Sequence, residues 1–143
     1  MWVTRYKTPE DNKNVVLNNI IDNVGNIYVH TCSYMIKYDS LGRQLWVKES
    51  ANSGNRDPVY PSKGLGISGP DNIYVIQRNG FLFKYDANGN KLWERDCTVL
   101  SGATCSPNSI ATDSEGNVYV VGWIDTEEDN KDKRRQPIVR KYD

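Results

Sequence analysis

One stretch of this chain is written nearly three times, and that repetition limits the possible folds more than any other feature. Residues Gly25–Trp46 read GNIYVHTCSYMIKYDSLGRQLW, and Asp71–Trp93 read DNIYVIQRNGFLFKYDANGNKLW. A third copy begins at Gly116 as GNVYVVGW and resumes at Ile138 as IVRKYD. Tyr28, Tyr74 and Tyr119 are 46 and 45 residues apart, and Lys-Tyr-Asp recurs at 37–39, 84–86 and 141–143. A fixed period in the forties implies supersecondary units that cannot bury their apolar faces alone and must stack on their neighbours.

Each unit parses into four short strands. The first is read at Val15–Ile21, Lys63–Ser68 and Asn108–Thr112, and the second at Ile27–His30, Ile73–Gln77 and Val118–Trp123. The third falls at Met35–Tyr38, Phe81–Tyr85 and Ile138–Tyr142, and the fourth at Gln44–Glu49 and Lys91–Arg95. The joints carry an Asp followed three residues later by Gly, as in Asp39-Ser-Leu-Gly, Asp86-Ala-Asn-Gly and Asp113-Ser-Glu-Gly, which suits tight hairpins. Four antiparallel strands per repeat of this length predict an all-β chain of β-propeller blades. The expected divisions of the single unit 1–143 are blade one at 15–49, blade two at 63–96 and blade three at 108–143. Alternation in Ile27-Tyr-Val-His and Ile73-Tyr-Val-Ile asks for cover on both sheet faces, which stacked blades supply. Gly64 and Gly66, like Ser109 and Ala111, keep the first strands small, as crowding toward an axis requires. Asn18 and Ile20 break that pattern in blade one.

The recurring D-x-x-G-N-[IV]-Y-V followed by K-Y-D-x-x-G-x-x-L-W resembles the bacterial seven-bladed β-propeller repeat (SBBP). The third copy, Pro107 to Val120, is also similar to NHL repeats. The resemblance covers nearly the whole chain and concerns scaffold residues. Such families include lectin-like, protein-binding, scaffold and some enzymatic members, so the fold implies no single activity.

Charge narrows the function classes. Lys plus Arg and Asp plus Glu are 18 each, giving a net charge of zero. This argues against a dedicated nucleic-acid surface or a polybasic membrane patch. No apolar run approaches the ~20 residues of a membrane-spanning helix, and no signal-peptide pattern opens the sequence, so localisation stays open.

Chemical motifs are sparse. Gly64-Leu-Gly-Ile-Ser-Gly69 matches G-x-G-x-x-G but leads into a strand, so a helix N-terminus for a pyrophosphate is missing. No cofactor is expected. His30, the only histidine, ends an apolar strand at a loop and reads as a structural or rim-binding residue. Asp125, Glu127, Glu128, Asp129 and Asp132 lack calcium-loop spacing and are neutralised by Lys131, Lys133, Arg134 and Arg135, so no metal site is expected. Cys97 and Cys105 flank a short loop and are either a disulfide or two thiols, according to compartment. Trp2, Trp46 and Trp93 recur at one place in the outer strand and read as packing between blades. The ligand-binding candidates are Tyr60, Arg56, Arg78, Trp123 and His30, the first four lying outside the repeat consensus.

Long polar connections at Lys7–Lys13, Ser50–Pro61 and Cys97–Pro107, with a solvated insert at Asp125–Pro137, should decorate one rim. Met1-Trp2-Val3-Thr4-Arg5 aligns with the fourth strands, and blade three has no fourth strand of its own. Residues 1–6 are therefore expected to complete a blade of another copy. Trp2, Val3, Arg5, Ile138 and Tyr142 would form the seam of a homodimeric, six-bladed propeller. The leading functional reading is a non-enzymatic module that binds a protein or glycan through the decorated rim. The alternatives are a propeller-class hydrolase or lyase, which would need acidic residues converging from the first strands, and an inactive piece of a larger multi-blade protein.

Overall fold

A computed structural model describes residues 1–6, 15–50, 62–69, 72–77, 79–97, 105–128 and 132–142, with backbone alone for 62–63, 126–128 and 132–134. The described residues form three antiparallel sheets. Blade one is β1 (Val16–Ile21), β2 (Ile27–Thr31), β3 (Tyr34–Tyr38) and β4 (Gln44–Glu49), paired in chain order. Blade two is β5 (Ser62–Ser68), β6 (Asn72–Gln77), β7 (Phe81–Tyr85) and β8 (Lys91–Asp96), paired likewise. Blade three has β9 (Cys105–Thr112), β10 (Val118–Glu128) and β11 (Asp132–Tyr142), with β10 central.

The recurrent Asp explains why the chain reverses where it does. Asp86 Oδ1 accepts the backbone N–H of Asn88 at 2.9 Å and of Asn90 at 2.8 Å, while its own carbonyl accepts the N–H of Gly89. Asp22, Asp39 and Asp113 make the same pair of bonds to the residues two and four positions on. Each carboxylate satisfies turn donors that would otherwise face solvent unpaired.

Alternation along the strands then builds two seams. Tyr28 and Met35 of blade one pack on Leu65, Ile73, Val75, Phe83 and Tyr85 of blade two. The opposite face of blade two sends Tyr74, Ile76 and Leu82 against Val118 and Val120 of blade three, with Ile110, Trp93 and Tyr142 at the margin. Neighbouring residues of one strand thus serve different seams, as a period of two dictates. Gly64 is required by this stacking: a Cβ there would lie 2.6 Å from Cγ2 of Ile110 on the next blade's first strand. Ile20, the large residue in blade one's first strand, packs at the edge of the first seam.

Two expectations are corrected. Asp125–Pro137 is not simply a solvated loop, because β10 runs to Glu128 and β11 starts at Asp132. The register sets Asp125 opposite Arg135 and Glu127 opposite Lys133, and opposite charges across a ladder favour continued pairing. Cys105–Pro107, expected as connection, already belongs to β9, and the ladder shifts register between Val121 and Gly122, beside Pro107. A shift of this kind accommodates a residue that has no N–H to donate. Residues 1–6 are in no strand and pair with no strand among the described residues.

A disulfide joins Cys97 to Cys105, with the two Cα atoms 5.8 Å apart. Both sulfurs are buried between the end of β8 and the start of β9. The bridge closes a short loop, so its reduction is expected to lower stability by about 2–3 kcal/mol in the chain-entropy model. Thermal unfolding with and without a strong reductant measures this, with a Cys97→Ser/Cys105→Ser variant as the reductant-insensitive control.

Candidate functional site

The two rims of the stacked blades differ. One is made of the Asp-bearing turns at 22–26, 39–43, 86–90 and 113–117. At the other, Cys32 N–H donates to the Val15 carbonyl (3.3 Å), Ser50 N–H to Ser33 (2.8 Å) and Cys97 N–H to Gly80 (2.9 Å). These bonds gather the start of β1, the β2–β3 and β6–β7 turns and the ends of β4 and β8. The described residues flanking the long connections therefore share one rim, together with the disulfide and the outer part of the β10–β11 hairpin.

Trp123 sits on that hairpin, half-buried, with the Arg135 guanidinium 5.5 Å from its ring centroid. Arg135 Nε also lies 3.3 Å from Asp125 Oδ1, so the cation is held between a carboxylate and an aromatic face. Arg135 and Asp125 were not singled out in the sequence as binding residues. Their opposition across the hairpin emerges only once the register is known. Tyr60, Arg56 and Arg78 lie outside the described residues.

Of the two readings, structural or rim-binding, burial favours the structural one for His30. It is 2 % exposed, and Nε2 lies 3.1 Å from the hydroxyl of the buried Ser50, while Nδ1 is buried without a partner. Burial lowers its pKa from 6.5 to about 4, because a charged imidazolium would lose its hydration there. The aligned positions carry Ile76 and Val121, which states the same thing in sequence terms: this is an apolar slot. His30 is neutral at pH 7.

Three sets of aromatic and cationic residues mark the forward face of each blade. In blade one Lys37 is opposite both Tyr28 and Trp46, with its ammonium 4.9 Å from the Tyr28 ring and the Tyr28 and Trp46 rings 6.2 Å apart. In blade two Lys84 is likewise opposite Tyr74 and Trp93, at 5.5 Å and with the rings 6.0 Å apart. In blade three Lys141 is opposite Tyr119, and no tryptophan completes the set among the described residues. Tyr119 donates its hydroxyl to Asp113 Oδ2 at 2.9 Å. That carboxyl is held down at about 2, chiefly by the Asn117 side-chain amide, with Tyr119 contributing.

Trp46 reaches across its seam: its indole N–H donates to the Ala87 carbonyl at 3.0 Å, and a Cβ on Gly89 would meet its ring at 3.1 Å. Trp2 stands over Gly42, the residue equivalent to Gly89, where a Cβ would meet its ring at 2.5 Å. Residues 1–6 thus lie along the backward face of blade one. A cavity of about 330 Å³ separates Trp2, Thr4 and Tyr6 from Ile27, Val29, Ile36 and Tyr38. Val3 and Arg5 are exposed, and Ile138 is half-buried. The Tyr142 ring packs into the seam between blades two and three, so this expected inter-chain residue presents only its backbone to the outer edge.

The three stacked antiparallel sheets, two of four strands and one of three, are consistent with β-propeller blades. Residues 100–127 match the model of the beta-propeller repeat family (SBBP). No curated protein matches the chain. A solved structure, a protein of unknown function from Bacteroides caccae, is similar over 93% of this chain at 10% identity, with a TM-score of 0.37. The chain spans 64% of that protein's length.

Proposed function

We propose that the chain is a non-enzymatic propeller module in which two copies close a six-bladed ring and present the loop-bearing rim to a protein or glycan ligand. The observation that carries this reading is the inequality of the rims. One consists of short turns whose carboxylates are already used by their own backbone. The other gathers the flanks of every long connection and the Trp123–Arg135–Asp125 group. Loops held by a rigid scaffold are where binding residues concentrate. The state of His30 supports a binder over a hydrolase, since the only histidine is buried, neutral and bonded to Ser50.

Binding is tested on an array of defined oligosaccharides and a set of defined peptides. The expected result is a ligand whose affinity falls about tenfold or more with Trp123→Ala, the loss of one aromatic anchor. Binding that survives Trp123→Ala and Arg135→Ala but is lost with Leu41→Glu would place the site on the opposite rim and overturn the proposal. Failure to bind anything on either array would overturn it as well.

A further inference from the structure

The outer end of the β10–β11 hairpin, which carries Trp123, Asp125 and Arg135, has few attachments to the body of the blades. Past Ile124, β10 pairs with β11 alone among the described residues. A two-stranded hairpin by itself is at best marginally stable in water, and a third strand or a packed face is what fixes it. Here the third strand is the start of β9, with Cys105 opposite Ile124, Ser106 opposite Trp123 and Pro107 opposite Gly122. That stretch is a weak ladder. Pro107 has no N–H to donate, and the register skips Asn108, which separates the stretch from the regular pairing of Ser109–Thr112.

The skipped residue also sets direction. β1 and β5 skip one residue at the same place in the repeat, Leu17 and Lys63. In β9 the skip turns Cys105 and Pro107 toward blade two, the side of Val118 and Val120, and turns Ser106 to the forward side with Trp123. On the buried side Cys105 meets Cys97, just past the end of β8. Gly80 brings the β6–β7 turn over the bridge: a Cβ there would lie 3.0 Å from Cys97 Sγ and 3.5 Å from the Cys105 carbonyl oxygen. β9 and β10 approach closely at the same level, since a Cβ on Gly122 would lie 2.8 Å from Cα of Pro107. The path from blade two to the rim site thus runs Cys97, Cys105, Ser106, Trp123, and only its last link, a strand pairing, is non-covalent.

We infer that the Cys97–Cys105 disulfide is a redox lock on the rim site, holding the start of β9 so that Trp123, Asp125 and Arg135 keep one arrangement. The inference rests on the rim reading above and names how that site is regulated. A dithiol opens the lock. One of its thiolates attacks a sulfur of the bridge and breaks the Cys97–Cys105 bond, and its second thiol then displaces the mixed disulfide. The reductant leaves as its own disulfide, and two electrons and two protons end on the thiols of Cys97 and Cys105. The start of β9 then keeps only its short ladder and the packing of the buried Pro107. The hairpin past Gly122 opens as a local unit, while Val118–Val121 stay paired with Ser109–Thr112 on one side and Val139–Tyr142 on the other.

Backbone amide exchange is followed by NMR on the full chain, oxidised and reduced by a dithiol, in a Cys32→Ser background that removes the free thiol. Reduction should lower protection across Gly122–Asp125 about 30-fold relative to Val118–Val121, the lower end of what closing so short a loop is worth. Fluorine-labelled tryptophan gives a second readout. The Trp123 signal, assigned with Trp123→Phe, should shift on reduction while those of Trp46 and Trp93 stay. Cys97→Ala/Cys105→Ala should reproduce the reduced pattern and show no response to the dithiol. Gly122→Val should loosen the same segment with the bridge intact, because its side chain pushes Pro107 away from β10. Protection that falls equally in both halves of β10, or not at all, overturns the lock. A ligand that depends on Trp123 should bind about tenfold more weakly to the reduced chain. Unchanged affinity overturns this inference and leaves the binding reading standing. A hairpin that loosens on reduction in a chain that binds nothing on either array overturns the binding reading and leaves the lock standing.

Discussion

Replacing Tyr74 with alanine is expected to lower the unfolding free energy by about 3–5 kcal/mol, the usual range for a fully buried large side chain. Tyr74 is 2 % exposed in the seam between blades two and three. It is flanked by the Trp93 ring at 6.0 Å and the Lys84 ammonium at 5.5 Å. Truncation removes its own buried area and strips both neighbours of their packing partner, and two rigid sheets cannot close the gap. The loss is a large part of the roughly 5–15 kcal/mol that stabilises an ordinary domain. Leu92→Ala, at a 53 % exposed position one residue from Trp93, is expected to change stability by no more than about 0.5 kcal/mol. Urea unfolding of both variants checks the contrast. Comparable losses would mean that the seam does not carry the fold.

Acidification from pH 7 to pH 4 is expected to remove about 3 kcal/mol of stability through His30 alone. Its folded pKa of about 4 lies below the ordinary 6.5 because the ring is buried. Below pH 6.5 the unfolded chain takes up a proton that the folded chain refuses, so the unfolded state gains. The contribution is complete above pH 6.5, declines as pH falls and levels off near pH 4. The turn carboxylates act in a separate, more acidic window. Backbone N–H bonds from Arg43 and Asn90 foremost hold Asp39 and Asp86 below 3.8, and the Asn117 amide holds Asp113 at about 2. Their contributions are present above pH 3.8 and lost below it. Urea unfolding at pH 7 and pH 4.5 separates the windows. His30→Ile, which copies Ile76 from the aligned strand, should remove most of the upper one. At pH 7 it leaves the buried Ser50 hydroxyl without its 3.1 Å partner, a loss of about 1–3 kcal/mol offset by the added apolar packing. If the slope between pH 6.5 and pH 4 survives His30→Ile, another group is responsible.

His30 also shows where reading by repeats succeeds and where reading by residue type misleads. As a lone histidine at a strand end it read as either structural or rim-binding. The structure places it inside, at the position that Ile76 takes in the second repeat, because the position within the repeat, and not the residue type, sets the side of the sheet. The charged stretch around Asp125–Pro137 failed for a related reason. Its composition says loop, and composition carries no register. Once Val118 is set against Tyr142, the ladder continues by twos until Asp125 meets Arg135.

The sequence by itself determined the strands, the turns and the blade period, because those depend on local patterns: alternation, an Asp that caps its own turn, a Gly that reverses the chain. It also placed Trp46 and Trp93 at the same point of the outer strand. Only the tertiary structure decided which face of each strand meets which neighbour, that Ile110 of one blade fills the space beside Gly64 of another, and that the Ser50 hydroxyl meets His30. It alone shows that Trp2 lies over Gly42. These are relations between residues far apart in the chain, set by how rigid sheets stack, and no local pattern encodes them.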